Sequence, residues 1–117
     1  MKLEPDLIKE ILLWCEKYLP DYEKSWKASE IEVLNFTKKE IIFHVKLLND
    51  NDYLECIDLS DHQEHDYIIN NLTLNGYQYL ELLRSKAWNT AKSLMHEIGV
   101  IFAESAIRAV IQKHIGS

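Results

Sequence analysis

The chain has few of the glycine, proline and cysteine residues that catalytic loops, flexible linkers and disulfide frameworks require. Its 117 residues include three Gly, two Pro and two Cys. No Gly-rich phosphate loop, HExxH zinc motif or nucleophile elbow is present. Cys15 and Cys56 have forty residues between them and no CxxC partner, which argues against a zinc ribbon and indicates small buried side chains. We therefore predict a protein that is not an enzyme and that needs no metal or cofactor.

Signals for export and for membrane insertion are also missing. Lys2, Glu4 and Asp6 interrupt the start of the chain, so it lacks the pattern of a secretory signal. The most apolar segment, Val100–Ile115, is too short and too charged to span a bilayer. A composition of 47% hydrophobic and 27% charged residues is that of an ordinary folded domain. We expect a cytoplasmic protein that does not contact a membrane.

The first half of the chain carries clear helix signals around one ambiguous segment. Pro5 and Asp6 favour a helix start, and the apolar spacing that follows predicts a helix ending before Pro20. Thr37 and Glu40 form the capping-box pattern T-x-x-E, which predicts a second helix beginning near Lys38. The residues "NDND", 49–52, end it, because Asn and Asp tolerate the left-handed conformation. Between these helices, residues 26–36 fit either a short strand around Ile31–Leu34 or one helical turn capped by Ser29 and Glu32.

The second half of the chain predicts a hairpin followed by helices. Tyr53–Leu59 and Tyr67–Leu72 are β-type runs joined by the polar loop "SDHQEHD". Thr73 caps a further helix that reaches Ile98 at three- and four-residue apolar steps and stops at Gly99. Val100–Ile115 then has ten apolar residues in sixteen and one polar stripe. The fold class is therefore α+β and mostly helical, with a domain over residues 1–98 and an amphipathic C-terminal helix over residues 99–117.

Three phrases give the sequence a family resemblance. "FHVKLLNDNDYLECIDLS", followed by "NNLTLNGYQYLELL" and "AWNTAK", together with the opening "KLEPDLIKEILL", resembles the domain-of-unknown-function 2513 family of small bacterial and prophage proteins. The resemblance covers about residues 1–98. It implies a winged-helix-like fold, a phage or mobile-element setting and no settled biochemical activity. The residues that carry it are Pro5, Asp6, His44, Leu47, Leu48, Leu72, Thr73, Gly76, Leu80 and Trp88.

The implied fold suggests a DNA-associated regulator that binds through its second clear helix. Lys38, Lys39 and Lys46 surround the polar face of that helix and could contact phosphates of double-stranded DNA. The sequence departs from a full helix-turn-helix because residues 26–36 leave room for only one supporting turn or a strand. Three contacts bind weakly, but a homodimer through Val100–Ile115 would double them. Instead of forming a dimer interface, Val100–Ile115 could pack on the domain of its own chain, residues 1–98.

The charge of the hairpin opposes DNA contact and supports an alternative. Residues 49–73 contain seven acids and no Lys or Arg, so a wing built from them would repel phosphates. The alternative is a protein-interaction module, in which the hairpin binds a basic protein partner or the apolar C-terminal segment binds another protein. The partner-binding residues of the hairpin would be Asp58, Asp61, Glu64 and Asp66.

The histidines receive structural assignments. His62 and His65 share the loop with residue types that bind zinc, but a solvated loop is the commoner outcome, so we assign no metal. His44 stands at the border of the buried face of its helix. We predict a hydrogen-bonded, partly buried side chain there.

Overall fold

The computed structural model describes residues 2–61 and 64–85. Within them the chain is an α+β protein with three α-helices and a three-stranded antiparallel sheet. The helix predicted from Thr73 to Ile98 ends at Leu83 in the structure, so its predicted continuity through residues 84 and 85 is wrong. The rest of that prediction, the C-terminal segment Val100–Ile115 and His62 lie outside the described residues. The elements are α1 (Pro5–Tyr18), β1 (Trp26–Lys27), a 3₁₀ turn (Ala28–Glu30), α2 (Lys38–Asp50), β2 (Leu54–Asp58), β3 (Tyr67–Leu72) and α3 (Leu74–Leu83).

Helix α1 begins and ends where the sequence predicts. Pro5 occupies its first turn, where a missing backbone N–H removes no helix bond, and Asp6 follows. The helix ends at Tyr18, and the Leu19 N–H donates to the Cys15 carbonyl oxygen at 2.9 Å before Pro20. One face is fully buried and supplies much of the core. It consists of Leu7, Ile8, Ile11, Leu12 and Cys15.

The ambiguous segment contains both a strand and a helical turn, at other positions than those predicted. Strand β1 has two residues, and the 3₁₀ turn follows at once. The Lys27 N–H donates to Glu30 Oε1 at 3.0 Å, so the Ser29–Glu32 cap is wrong. Ile31–Leu34 is not a strand either, although Ile31 is buried. Strand β1 pairs with β3, and Ser29 in the 3₁₀ turn binds the Asp66 carboxylate, so distant residues hold this segment in place.

Helix α2 confirms the capping box. The Glu40 N–H donates to Thr37 Oγ1 at 3.2 Å, and the Thr37 N–H donates to Glu40 Oε1 at 3.1 Å. The predicted core positions Ile41, Val45 and Leu48 are buried. Past the helix end, Asp52 has a φ of 66°, the left-handed conformation that the "NDND" sequence permits.

The sheet has the order β1-β3-β2, with β3 in the centre, and the predicted hairpin is confirmed. Strands β2 and β3 pair from Leu54 opposite Leu72 to Asp58 opposite Tyr67, with a register shift between Glu55 and Cys56. Strand β1 pairs with the other edge of β3. The helices pack against one face of this sheet, and the core lies between them.

Helix α3 approaches the start of the hairpin very closely. Its cap is confirmed, because the Gly76 N–H donates to Thr73 Oγ1 at 3.0 Å, and that hydroxyl donates to the Asp52 carbonyl oxygen at 2.7 Å. A Cβ atom on Gly76 would lie 2.1 Å from the Tyr53 carbonyl oxygen. Glycine is therefore required at this contact. None of the helices in the described ranges is long and apolar enough to cross a membrane.

Candidate functional site

The first turn of α2 presents two exposed lysines. Lys38 and Lys39 follow the Thr37 cap directly, and both side chains are exposed. Within residues 2–61 and 64–85, neither lysine forms an ion pair. The backbone N–H groups of the first turn that the capping box does not use add a partial positive charge at the same place, which the Glu40 carboxylate at the Thr37 N–H partly offsets. This end of α2 is therefore suited to an anion.

Lys46 lies about two turns further along α2 than Lys38, and it is paired within its own helix. Its Nζ lies 2.6 Å from Asp50 Oδ2, one turn further on, and both side chains are about half exposed. The hydrogen bond and charge of Asp50 raise the pKa of Lys46, and Asp58 on β2 acts in the same direction. Of the three lysines predicted to contact DNA, Lys46 is thus partly neutralised by neighbouring acids.

Three of the four predicted partner-binding acids also hold the loop between β2 and β3. Asp58 Oδ1 accepts the Ser60 N–H at 2.7 Å, and these contacts with Ser60 lower the pKa of Asp58. Asp61 Oδ1 accepts the Glu64 N–H at 2.7 Å, while the Asp61 N–H donates to the Glu64 carbonyl oxygen at 2.8 Å. All three acids are exposed residues.

Asp66 has a structural role that sequence reasoning missed. Its Oδ1 accepts the backbone N–H groups of Ser29 at 3.1 Å and Tyr67 at 2.8 Å. Its Oδ2 accepts the Ser29 hydroxyl at 2.6 Å. The half-buried carboxylate therefore fastens the 3₁₀ turn to the start of β3, and it is less available to a partner than the other three acids.

His44 is fully buried and joins the start of α1 to α2. Its Nε2 accepts the Glu4 N–H at 2.9 Å, and its Nδ1 lies 2.7 Å from the Glu40 carbonyl oxygen. This arrangement requires the neutral tautomer with its proton on Nδ1, because a carbonyl oxygen only accepts. Burial lowers the pKa of His44 and outweighs the opposing effects of the Glu40 carbonyl and the nearby carboxylates. The predicted hydrogen-bonded histidine is confirmed, and it is more deeply buried than expected.

Among the described residues, the two cysteines are unreactive thiols, and the potential metal ligands do not cluster. Cys15 is buried and Cys56 half-buried, and burial raises the pKa of both thiols, that of Cys56 to about 12. Both thiols are therefore protonated at neutral pH and are poor nucleophiles. His65 is exposed. No three His, Cys, Asp or Glu side chains among the described residues come together as metal ligands.

An aromatic cluster at the end of α1 was not predicted. The rings of Trp14, Tyr18 and Trp26 lie with centroids 5.0 to 5.4 Å apart. The Lys24 ammonium sits 3.6 Å from the centre of the Trp26 ring and 3.1 Å from Glu30 Oε2. A cation over an indole face contributes about 0.5–1 kcal/mol at exposed sites. The cluster fixes β1 against α1.

Next to this cluster lies an open groove between α1 and the turn at residues 33–36. Its volume is about 580 Å³. The turn is closed by the Phe36 N–H on the Val33 carbonyl oxygen at 3.2 Å, and Asn35 has a φ of 73°. This geometry leaves the Leu34 side chain 86% exposed. The apolar lining comprises Leu13, Trp14, Tyr18, Val33, Leu34 and Phe36.

Comparison with known proteins identifies the family of the chain, but the matching proteins have no described biochemical activity. A protein of Haemophilus influenzae described as "Uncharacterized protein" is 29% identical over 113 residues, covering 96% of this chain and 93% of that protein. No solved structure matches the chain significantly. A family model described as "Hypothetical protein (DUF2513)" matches residues 2–101. The chain therefore belongs to that family.

Proposed function

We propose that the protein is a winged-helix-like, non-enzymatic module that binds double-stranded DNA through the start of α2. The support is topological. Helix α1, the short β1, one helical turn, α2 and a β-hairpin follow each other in the order of a winged helix, and β3 lies between β1 and β2. In that order α2 occupies the position of the recognition helix, and the loop after β2 that of the wing.

The observation that carries the DNA proposal is the exposed pair Lys38 and Lys39 at the N-terminus of α2. Helix N-termini bind phosphate because their backbone N–H groups and dipole favour negative charge. If Lys38 and Lys39 each neutralise one phosphate, the logarithm of the binding constant should fall with the logarithm of the salt concentration with a slope of about −2, at roughly −0.9 per phosphate. A single copy of the chain should therefore bind DNA weakly, and mainly through contacts with the phosphate backbone.

The surrounding charges limit the orientation of the DNA. The Lys46–Asp50 ion pair and the acids at positions 58, 61 and 64 lie towards the other end of α2 and the hairpin. A duplex would approach the Thr37 end and tilt away from the wing, because the hairpin repels phosphates. This orientation differs from docking through both the helix and the wing.

Two charge reversals of equal size test this proposal. The affinity of the full chain for a labelled duplex is measured by fluorescence anisotropy across a salt series. Lys39→Glu should weaken binding several-fold and reduce the salt slope by about one. Lys17→Glu, on α1, changes the net charge equally and should have a much smaller effect. Equal losses from the two variants would show that binding reflects net charge and not the start of α2.

A second candidate function has an observation in its favour at the hairpin. Ile57 is 50% exposed and Leu59 40% exposed, on either side of Asp58. Exposed apolar side chains beside acids suit a partner that offers apolar and basic groups together. We propose a basic protein segment as this partner.

The hairpin proposal can be tested with an amphipathic, lysine-rich peptide. Asp58→Asn with Glu64→Gln should weaken its binding and flatten the salt dependence. Ile57→Ser should weaken binding and leave the salt dependence unchanged. If neither change alters the affinity, the hairpin is not the binding surface.

A further inference from the structure

The groove beside α1 presents apolar side chains to solvent. Trp14, Val33 and Phe36 line it and are half-buried, and Leu34, which also lines it, is 86% exposed. The turn holds Leu34 in this position, because the Phe36 N–H donates to the Val33 carbonyl oxygen and Asn35 takes the left-handed conformation. The apolar surface is therefore a fixed part of the fold. Clustered apolar side chains of this kind commonly mark a contact with another protein.

The groove runs along one face of α1. The helix residues in its lining recur at steps of three and four, which places them on the same side of the helix. The volume of about 580 Å³ lies within the range of about 300–1,000 Å³ that ligand pockets occupy. An elongated guest such as an amphipathic helix fits this face with its apolar side towards α1. The α1 residues of the lining are Glu10, Leu13, Trp14, Lys17 and Tyr18.

Two carboxylates of the lining have no cation beside them. Glu10 lies on α1 and Glu32 on the segment that enters the turn, and both are exposed. Among the residues that the structure describes, neither carboxylate forms an ion pair. Lys17 also lines the groove, but its Nζ lies 5.1 Å from the centre of the Tyr18 ring. The groove therefore offers two negative charges to an incoming group.

The acids just outside the groove are paired within the chain. Glu16 Oε2 on α1 accepts from Arg84 Nη1 at 3.0 Å. Glu30 Oε2 lies 3.1 Å from Lys24 Nζ. The carboxylates of the groove differ from these neighbours in lacking a cation, so charge complementarity favours a positively charged partner.

Arginine is the basic side chain that this lining suits best. Its planar guanidinium stacks on an aromatic ring and hydrogen-bonds a carboxylate at the same time. Trp14 and Tyr18 supply rings to the groove, and Glu10 and Glu32 supply acceptors. The groove thus combines both kinds of contact with an apolar surface.

We propose that the groove binds an amphipathic helical segment of another protein that carries leucine-like and arginine side chains. The apolar side of the segment covers Leu34 and Trp14, and its arginines pair with Glu10 and Glu32. These residues belong neither to the hairpin nor to the start of α2. The proposal is therefore independent of DNA binding and of the hairpin surface.

Two leucine substitutions test the apolar contact. The probe is a labelled synthetic peptide with Leu and Arg at helical spacing, and its affinity for the full chain is measured by fluorescence anisotropy. Leu34→Ser should weaken binding at least about tenfold, because a buried leucine contributes that much. Leu74→Ser changes a leucine that is 74% exposed on α3, outside the described lining, and should leave the affinity nearly unchanged. Circular dichroism checks that both variants keep the fold.

Two carboxylate substitutions test the charge. Glu32→Gln should weaken binding of the same peptide about two- to fivefold and flatten its salt dependence. Glu23→Gln removes an equal charge from an exposed residue outside the described lining, and it should have a smaller effect. Equal losses from the two variants would show that the peptide responds to the net charge of the chain, and they would overturn the proposal.

The other occupants of the groove give separate results. A peptide that does not bind at low salt, or that binds wild type and Leu34→Ser equally, overturns the proposal. Loss of binding in Ile57→Ser with no loss in Leu34→Ser would place the peptide on the hairpin instead. Sedimentation of the chain without peptide provides the last comparison, because a dimer that Leu34→Ser abolishes would assign the groove to a second copy.

Discussion

Protonation of His44 should destabilise the fold in mildly acidic solution. The neutral ring accepts the Glu4 N–H on Nε2 and faces the Glu40 carbonyl with Nδ1. A second proton on Nε2 would oppose the N–H of Glu4 and place a charge in a fully buried position. The imidazole therefore favours the neutral form in the folded state, which agrees with its lowered pKa.

The sign and size of the effect follow from proton linkage. Because the folded pKa of His44 lies below its ordinary value of 6.5, the unfolded chain binds more protons as the pH falls through this range. The stability from neutral His44 is full above pH 6.5 and is lost as the pH falls towards the lowered pKa. One proton changes the free energy of unfolding by at most about 1.4 kcal/mol per pH unit. Replacing His44 with Ala should cost about 2–3 kcal/mol at neutral pH, through the orphaned Glu4 N–H and lost packing.

The assay is urea unfolding, followed by circular dichroism between pH 7.5 and about pH 5.5, above the range in which exposed carboxylates titrate. The wild-type chain should lose stability over this interval, whereas His44→Gln should be less stable at pH 7.5 but lose less on acidification. His65→Gln removes an exposed histidine and should behave as the wild type. If His44→Gln retained the full pH dependence of the wild type, the assignment of the buried neutral ring would be refuted.

Three further substitutions test the contacts that set the fold. Gly76→Ala should lower stability by about 1–3 kcal/mol in urea unfolding, because its Cβ would meet the Tyr53 carbonyl oxygen; a neutral effect would contradict the close approach. Thr37→Ala should cost about 1 kcal/mol, whereas Thr37→Ser should restore most of it. Asp66→Ala should cost about 1–3 kcal/mol and increase hydrogen exchange at Ser29, and unchanged exchange there would refute its anchoring role.

Local signals in the sequence determine most of the element boundaries. Pro5, the Thr37–Glu40 box and the Thr73 cap each act within one helical turn, and each helix begins where they predict. The hairpin was predicted for the same reason, since its strands are adjacent in sequence. Short-range hydrogen bonds depend on neighbouring residues alone, so one sequence suffices to predict them.

The errors concern contacts between distant residues. Strand β1 exists because Trp26 pairs with Ile69 on β3, and the 3₁₀ turn is fixed by Asp66, thirty-seven residues from Ser29. Nothing in the local sequence of residues 26–36 records these partners. Asp66 was therefore grouped with the surface acids of the loop, although three hydrogen bonds engage it.

The candidate site was predicted in part. Lys38, Lys39 and Lys46 lie on α2 as expected, but the Lys46–Asp50 pair removes one of them from the set of unpaired cations. Lys46 and Asp50 are four residues apart, a spacing that predicts an ion pair on a helix. The groove could not be predicted, because it depends on how the turn at residues 33–36 approaches α1.

We propose above that the start of α2 contacts phosphate. Its most direct test is the salt dependence of duplex binding by the full chain and by Lys38→Glu with Lys39→Glu. We expect binding that weakens with salt, with a slope about two units smaller in the double variant. A double variant with the wild-type affinity and slope, or a wild-type chain that does not bind DNA at low salt, would rule out phosphate binding by the start of α2.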